Sequence, residues 1–339
     1  MSRVDVIIPC YRYGAFLEGC VRSILEQEGV DIRILIMDDC SPDNTPEVAS
    51  RLQREDSRVE YRRHEKNIGH IATYNEGLAW VTGDYVLLIS ADDLLTPGSM
   101  KRATDLMNQH PEVGFAFGRD IVFESDQTPV AMPVQPSPPK FSILDYETFL
   151  EKCCKLGHTP IQAPCVLVRS SVHRKAGEYR AELPHTADTE IWLRFAAESA
   201  TGILEADQAF RRVHRSSMSF LYSSPRRILE QKKAFDTHFD WCGARLRDRS
   251  RFEKLLAGSL ADKALWGASI AIDRGETAEA NEFFSLALEI KPEVRFSRRW
   301  VGLHVKRLMG RRLWSLAEHI RKPLKAGVGS GSATVKHGE

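Results

Sequence analysis

The sequence predicts an α/β fold with a parallel sheet that has helices on both faces. Four short runs of apolar or β-branched residues recur at 4–9, 32–37, 59–63 and 85–89. Longer stretches with helical spacing separate successive runs. Near-continuous apolar runs are typical of strands that are buried on both faces. The alternation of strands and helices therefore favours parallel strands joined by helical crossovers.

The rest of the chain predicts a loop followed by a mixed region and then helices. Five prolines crowd residues 125–140, which indicates a loop or linker. After this loop we expect a helix at 146–156, a strand at 162–168 and a helix at 188–198. From residue 225 onward the pattern is helical throughout.

The composition excludes several classes of protein. The 339 residues are 42% hydrophobic with a formal net charge of +1, so a sizeable core is expected and nothing global favours nucleic acid. The seven cysteines include no CxxC pair, which argues against a disulfide scaffold. No signal peptide is recognisable, and no apolar stretch reaches the roughly 18 residues of a membrane span. A reduced cytoplasmic protein is the expectation.

The helical part resembles a single tetratricopeptide-type helix pair over residues 260–292. Gly275 lies at the turn, and Ala280, Phe284 and Ala287 follow at the offsets of that motif. Only part of the motif is present, so a generic pair of antiparallel helices is the alternative.

Residues 295–325 form a strongly basic segment in which large apolar side chains alternate with Arg and Lys. Apolar groups combined with cations suit a helix at an anionic membrane surface. The apolar positions do not form one clean stripe. Packing on the helix pair, with long Arg stems covering apolar surface, is therefore the alternative.

Two pairs of adjacent acids follow predicted strands, at the sheet edge where α/β proteins bind ligands. Asp92 and Asp93 follow the fourth run, and carboxylate oxygens are ligands that Mg or Mn prefers. An N-terminal cap on a helix that begins near Pro97 is the alternative. Asp38 and Asp39 follow the second run, where one acid could cap the next helix while the other faces the crevice.

Three stretches resemble the family 2 glycosyltransferases in order, spacing and residue type: VDVIIPCYRYGAFLEGCVRSILEQ, IRILIMDDCSPDNT and KNIGHIATYNEGLAWVTGDYVLLISADDLLTPG. The resemblance covers about residues 3–220 and implies a GT-A-type, mixed but mainly parallel sheet. It places Pro9 and Tyr11 beside the nucleotide base of a sugar donor and gives Asp39 a hydrogen bond to that base. Asp92 would meet the ribose or the metal, and Asp93 the metal and the diphosphate.

One departure from the family pattern concerns Ser90, where many relatives carry an acid. The division of ribose and metal roles between Asp92 and Asp93 is therefore open. The turn Asn67-Ile68-Gly69 also matches the family, although Gly69 is equally well explained as a loop glycine.

The resemblance also suggests a catalytic base in the segment HTADTEIWLRFA. Asp188 matches the family's base, which accepts the proton of an acceptor hydroxyl, and Glu190 is its neighbour. The alternative is that both acids complement the dipole at a helix N-terminus.

The segment FRRVHRSSMS resembles the family's motif that carries a metal-binding histidine. His214 is the predicted further ligand of the cation, with Arg211, Arg212 or Arg215 offsetting diphosphate charge. The alternative is a structural or solvated histidine.

Together these features imply an inverting, metal-dependent hexosyltransferase. It would move a sugar from a nucleotide-diphosphate sugar to a glycan or lipid-linked acceptor in polysaccharide biosynthesis. The cofactor would be Mg or Mn. We expect a cytoplasmic protein that contacts the inner face of the membrane peripherally through residues 295–325. The alternative is a non-catalytic nucleotide-sugar-binding protein with a helical interaction or membrane-surface module.

The expected domains are a GT-A domain at 1–224, a helical region at 225–326 and a disordered tail at 327–339. Within the first domain, 1–120 would bind the donor and 121–224 the acceptor. The first strand-to-helix turn lacks the glycine fingerprint of a dinucleotide-binding dehydrogenase, and the Gly-rich basic loop of a nucleotidyltransferase is missing as well.

Overall fold

The computed structural model describes residues 1–124, 138–213 and 224–309. Most of the proline-rich segment, His214 and Arg215, and everything after residue 309 lie outside the described residues. The predictions for those residues therefore stay predictions.

Strands and helices alternate through the first half of the chain. The strands are β1 (Arg3–Cys10), β2 (Asp31–Asp38), β3 (Val59–Arg63), β4 (Tyr85–Leu88), β5 (Leu94–Leu95), β6 (Val113–Glu124), β7 (Phe141–Leu144), β8 (Val166–Arg169) and β9 (Ala200–Val213). The helices are α1 (Gly14–Leu25), α2 (Thr45–Glu55), α3 (His70–Ala79), α4 (Ser99–Gln109), α5 (Tyr146–Leu156), α6 (Ser170–Ala176), α7 (Ala187–Glu198), α8 (Ser224–Cys242), α9 (Arg249–Arg274) and α10 (Thr277–Ile290).

The nine strands form one sheet in the order β3-β2-β1-β4-β8-β6-β9-β5, and β7 pairs with β9. The pairs among β1, β2, β3 and β4 are parallel, and so is the long pair β6 and β9. β8 runs antiparallel to both of its neighbours, and β5 and β7 run antiparallel to β9. The prediction of a mixed, mainly parallel sheet is confirmed.

The four predicted N-terminal strands and the two predicted helices are present, but the structure adds β5, β6, β7 and β9. β6 and β9 pair with each other over long stretches that contain charged residues, so neither reads as an apolar run. The strand expected at 162–168 begins only at Val166, because Ala163–Cys165 forms a 3-10 turn that contains Pro164. Pro has no N–H to donate to a strand ladder, which explains the late start.

The core lies where the helices cover the sheet. Val4, Val6 and Ile8 of β1 are buried in one cluster with side chains of α1 and α4. On β1 the neighbouring Ile7 approaches α3 so closely that a Cβ at Gly77 would lie 2.6 Å from its Cγ2 atom. This close packing holds β1 against α3.

The chain separates into two compact units, Met1–Leu256 and Ala257–Glu339, with the boundary inside α9. In the second unit, α9 and α10 are joined at Gly275, whose φ of 79° places it in the left-handed region. Ala280, Phe284 and Ala287 are buried, and residues 298–309 form a further helix. These positions fit a helix pair, and the tetratricopeptide resemblance stays a prediction.

Helix α9 differs from the expectation that no stretch is long and apolar enough to cross a membrane. Its 26 residues pass that test by length and composition, and 44% of the most apolar window is buried in the protein. Alanine, glycine and serine positions interrupt the apolar run but add no charge. A single such helix is weak evidence of a membrane span, since core helices of soluble proteins pass the same test.

Candidate functional site

The loops after β1 and β2 lie side by side at the carboxyl edge of the sheet. The Asp39 N–H donates to the Cys10 carbonyl at 2.9 Å, and the Arg12 N–H donates to Ser41 Oγ at 3.0 Å. Arg12 and Cys40 both have φ near 60°, a conformation that is uncommon for residues other than glycine. These sharp reversals lie at the ends of two neighbouring strands, at the edge where α/β sheets bind ligands.

Pro9 and Tyr11, which are predicted to contact the nucleotide base, lie at this edge of the sheet. Pro9 pairs with Met37 of β2 but lies beyond the last residue of β1 that pairs with β4. Its missing N–H therefore leaves no ladder bond unmade on that side. The Tyr11 side chain is exposed. The contact of both residues with a base stays a prediction.

Asp39 is buried and its carboxylate holds the loop that precedes α3. Oδ1 accepts hydrogen bonds from the Ile68 N–H at 2.8 Å and pairs with His64 Nδ1 at 2.9 Å, while Oδ2 accepts from the Gly69 N–H at 2.9 Å. Gly69 has a φ of 87°, so its conformation favours glycine whatever a donor does. A carboxylate oxygen can accept two hydrogen bonds, so Oδ2 retains capacity for a base N–H.

The prediction that Asp38 or Asp39 caps the following helix is wrong. Helix α2 begins only at Thr45, and it is Asp43 whose Oδ1 accepts from the Thr45 N–H at 3.2 Å. The Asp38 carboxylate instead accepts from the Ser41 N–H at 2.8 Å and from the Tyr61 hydroxyl at 2.9 Å. The helix starts later than the sequence suggested because the residues between form a separate turn.

Asp92 and Asp93 are buried in the turn between β4 and β5. They do not cap the next helix, since α4 begins at Ser99 and its N-cap is Gly98. The Asp93 N–H closes a turn onto the Ser90 carbonyl at 3.1 Å. The capping explanation that the sequence left open is therefore wrong for both acids.

The electrostatics of this pair are unfavourable without a cation. Burial raises the pKa of the Asp93 carboxyl, the neighbouring Asp92 raises it further, and the Arg212 N–H at 2.9 Å from Oδ1 partly offsets both. The charges of Arg211 and Arg212 also lower the pKa of Asp93, after the causes already named. A carboxyl that is buried beside another acid resists ionisation.

The end of β9 runs beside the acidic turn, because Leu94 of β5 pairs with Phe210. The Arg212 guanidinium donates to the Asp92 carbonyl at 3.1 Å and lies over the rings of Phe16 and Phe123 at 4.7 and 4.4 Å. Arg211 pairs with Asp120 at 2.7 Å. The predicted ligand His214 follows two residues after Arg212, outside the described residues.

The acidic turn supplies candidate ligands for a divalent metal. Across residues 1–124, 138–213 and 224–309, no group of three or more His, Cys, Asp or Glu side chains is close enough to hold a metal ion. Asp92 and Asp93 are two adjacent carboxylates, and such oxygen ligands fit a hard cation such as Mg or Mn that keeps several water ligands. The residues present therefore fit the cation, with His214 as the untested third ligand.

Asp188 lies in the first turn of α7. Oδ1 accepts from the Thr189 N–H at 2.6 Å. Burial raises the pKa of the Asp188 carboxyl above its ordinary value, and hydrogen bonds from Thr189 and Asp188 N–H groups offset this in part. A carboxylate with a raised pKa is a better proton acceptor, which is the property that a general base needs.

Tyr74 on α3 interacts electrostatically with acids of both the predicted donor site and the predicted base. Burial raises the pKa of its hydroxyl, and the charges of Asp188, Tyr13 and Asp92 follow as further causes. Tyr13, in the loop after β1, has its own pKa raised by burial and by Asp92 and Asp93. Asp92 thus acts electrostatically on both tyrosines, Asp188 on Tyr74 and Asp93 on Tyr13.

The sequence reasoning missed Tyr13, Tyr74 and Tyr179 as residues of this region. The Tyr74 and Tyr179 rings meet edge to face at 5.6 Å, and Asp188 also raises the pKa of Tyr179 after burial does. Asn75 holds them in place, because its side chain exchanges two hydrogen bonds of 2.9 Å with the backbone of Tyr179. Tyr13 and Tyr74 both lie within stretches that resemble the family, whereas Tyr179 lies in none of them.

Glu190 is not available as a second base. Its Oε2 accepts from the Arg194 guanidinium at 2.9 and 2.7 Å, its Oε1 accepts from Arg180 at 3.1 Å, and the side chain is fully buried. Arg194 also donates to the Ala176 and Glu178 carbonyls. The acid holds α7 to the preceding segment, which favours Asp188 over its neighbour Glu190 as the predicted base.

Glu190→Gln is expected to lower the free energy of unfolding by about 3 kcal/mol, because it leaves the buried Arg194 without its carboxylate. Urea denaturation followed by circular dichroism would measure the change. The matched control is Glu182→Gln, which removes an exposed partner of Arg180 and is expected to cost less than about 1 kcal/mol. Equal stability of the two variants would contradict the structural role of Glu190.

The comparison with known families gives the class of this protein. The sequence profile described as glycosyl transferase family 2 matches residues 5–175, which is half of the chain. The chain belongs to glycosyl transferase family 2. The match includes Asp39, Asp92 and Asp93 but ends before Asp188.

Curated relatives agree with this assignment. Uncharacterized protein MT1568 of Mycobacterium tuberculosis is 28% identical over 225 residues, which cover 62% of this chain and 66% of that protein. Glycosyltransferase GlyG of Streptococcus pneumoniae is 32% identical over 27% of this chain and 31% of its own length. A GalNAc(5)-diNAcBac-PP-undecaprenol beta-1,3-glucosyltransferase of Campylobacter jejuni is 30% identical over 32% of this chain and 36% of its own length. The chain thus spans from about a third to just under two thirds of these relatives.

Solved structures identify the fold as GT-A. Residues 1–349 of Staphylococcus aureus TarS, solved with UDP-GlcNAc, match with a TM-score of 0.62 at 17% identity, covering 86% of this chain and 82% of TarS 1–349. The mannosyltransferase PcManGT of Pyrobaculum calidifontis, solved with GDP-Man and Mn2+, matches with a TM-score of 0.52 at 16% identity, covering 91% and 87%. At these identities the likeness concerns the fold alone.

Proposed function

We propose that this protein is an inverting glycosyltransferase that moves a sugar from a nucleotide-diphosphate sugar to an acceptor hydroxyl. The observation that carries the proposal concerns Tyr74: burial raises the pKa of its hydroxyl, and the charges of Asp188 and Asp92 both raise it further. An acid at the predicted donor site and an acid at the predicted base position would provide two of the groups that a single displacement requires.

The donor would bind along the carboxyl edge of the sheet. Pro9, Tyr11 and Asp39 would contact the base, and Asp92 and Asp93 would hold Mg or Mn at the diphosphate. The bound cation would neutralise the negative charge that grows on the leaving diphosphate. Arg212 would keep the acidic turn in place through its bond to the Asp92 carbonyl and its stacking on Phe16.

Asp188 would accept the proton of the acceptor hydroxyl while the oxygen attacks the anomeric carbon. The attack would come from the face opposite the diphosphate, so one displacement inverts the anomeric configuration. The raised pKa of Asp188 would favour proton acceptance, and Tyr74 and Tyr179 would enclose the base and limit water access.

The names of relatives and neighbours indicate the substrate class. The similar structures are bound to UDP-GlcNAc or GDP-Man, and one relative is named for glucosyl transfer to an undecaprenol-linked glycan. A hexose donor and a glycan or lipid-linked acceptor in polysaccharide biosynthesis are therefore proposed. The expected cytoplasmic location stays a prediction.

A panel of nucleotide sugars with and without Mg or Mn tests the proposal. The matching donor is expected to add about 2.7 kcal/mol of stability at 100 times its dissociation constant, measured as a rise in melting temperature. Asp39→Ala is expected to lose most of that rise in melting temperature, because the contact to the base is removed. Its turnover at saturating donor is expected to change little.

The outcomes separate the two candidate functions. Transfer to an acceptor, or hydrolysis of the donor, supports the enzyme. Stabilisation by a donor that is never consumed would favour the non-catalytic nucleotide-sugar-binding protein. A shift produced by NADH and by no nucleotide sugar would overturn both.

A further inference from the structure

The last described helix, residues 298–309, presents an apolar stripe outward. Val301, Val305 and Leu308 are 53%, 42% and 88% exposed, and their spacing of four and three residues places them on one face of the helix. We propose that this outer stripe, defined as Val301, Val305 and Leu308, is a docking surface for an anionic lipid bilayer.

The opposite face of the helix fixes the orientation of the stripe. Leu303 is buried, and the buried Lys306 donates to Asp273 at 2.7 Å and to Ser269 Oγ at 2.9 Å, both on α9. The rings of Trp300 and His304 pack against Phe284 of α10 at 4.9 and 4.5 Å. The inward face thus carries Leu303 and Trp300 together with Lys306, whereas the side chains of the stripe face outward. Rotation of the helix would break the Lys306 contacts, so the stripe stays outside.

Two exposed aromatic side chains extend the apolar surface of this unit. Phe296 is 75% exposed directly before the helix. Trp266 is 62% exposed and lies one turn before Ser269, on the face of α9 that also carries Asp273. Aromatic rings with apolar neighbours are typical of residues at the level of lipid headgroups.

The charge around the stripe selects the kind of partner. Residues 298–309 contain Arg298, Arg299, Lys306 and Arg307 and no acid. Arg298 and Arg299 are exposed on the same helix as the stripe, and Arg295 is exposed just before it. Cations beside an apolar surface are attracted to anionic headgroups while the apolar groups enter the interface.

A second copy of the chain fits the stripe less well. Self-pairing would bring the same arginines of two copies together, and like charges across an interface are unfavourable. The stripe is also only three side chains wide along one helix, whereas stable dimers bury larger surfaces. The bilayer is therefore the occupant that the charges favour. The inference rests on residues 266–309 alone and can fail without affecting the proposed sugar transfer.

The test is co-sedimentation of the full chain with two kinds of vesicles, phosphatidylcholine alone and phosphatidylcholine mixed with phosphatidylglycerol. Binding is expected only to the anionic vesicles and is expected to weaken at high salt, because the attraction is screened. The double variant V301E/L308E is expected to bind at least roughly tenfold more weakly, since two carboxylates replace the groups that would enter the interface.

The matched control is V122E/L229E, which places the same charges at two exposed apolar positions in the other unit. This control is expected to bind as the unsubstituted chain does. Circular dichroism melting of each variant would verify that it is folded. Equal binding by V301E/L308E and the unsubstituted chain would overturn the proposal, as would absence of binding at low salt. A dimer that V301E/L308E dissociates, without vesicle binding, would assign the stripe to a second copy instead.

Discussion

Asp188→Asn is expected to lower the turnover number by about 100-fold or more while donor affinity changes little, because asparagine keeps the shape but cannot accept a proton. Single-turnover rates and donor titrations with the matching nucleotide sugar would measure both quantities. For the unsubstituted enzyme, turnover is expected to rise with pH through the pKa of Asp188. Burial raises this pKa, so the acid limb should lie above the range of an ordinary aspartate.

The matched control for this variant is Glu147→Gln. Glu147 lies in the first turn of α5, as Asp188 lies in the first turn of α7, so it tests for a mere loss of charge at a helix N-terminus. We expect normal turnover from the control. Normal turnover in Asp188→Asn, or retention of the anomeric configuration in the product, would contradict Asp188 as the base of a single displacement.

Asp93→Ala is expected to abolish transfer to within detection, a loss of about 1000-fold or more, because it removes a carboxylate from the cation at the leaving diphosphate. Asp92→Ala is expected to reduce transfer less. Asp92 is proposed to contact the ribose or the metal, whereas Asp93 is proposed to contact the metal and the diphosphate. Chelation of the unsubstituted enzyme should give the same loss as Asp93→Ala, and added Mg or Mn should restore activity to the chelated unsubstituted enzyme but not to Asp93→Ala.

The control for the acidic turn is Asp105→Ala on α4, which removes an exposed partner of Lys101 and is expected to leave transfer unchanged. Isothermal titration with Mn and the donor would separate lost binding from lost turnover. Full activity in excess chelator would contradict the metal. An Asp93→Ala enzyme that binds Mn and donor normally would place Asp93 outside the donor site.

The sequence by itself determined the first four strands, helices α5 and α7, and the family. These features depend on residues that are close together in the sequence. A buried strand is a short apolar run, and the family's motifs lie in the loops that directly follow such runs. The acids Asp92 and Asp93 could be singled out for the same reason, since they end a predicted strand. The sequence also placed Glu190 beside Asp188, the predicted base, in one helical turn.

Only the tertiary structure decided how those two acids differ. Glu190 is enclosed by Arg194 and Arg180, whereas Asp188 lies near Tyr74, which comes from a helix more than a hundred residues earlier. Strands β6 and β9 were invisible for a similar reason, because their charged positions are satisfied by pairing with each other rather than by a local pattern. The outward direction of the stripe at Val301 depends likewise on contacts of Lys306 with α9. Burial and partners depend on distant parts of the chain, and local patterns do not carry that information.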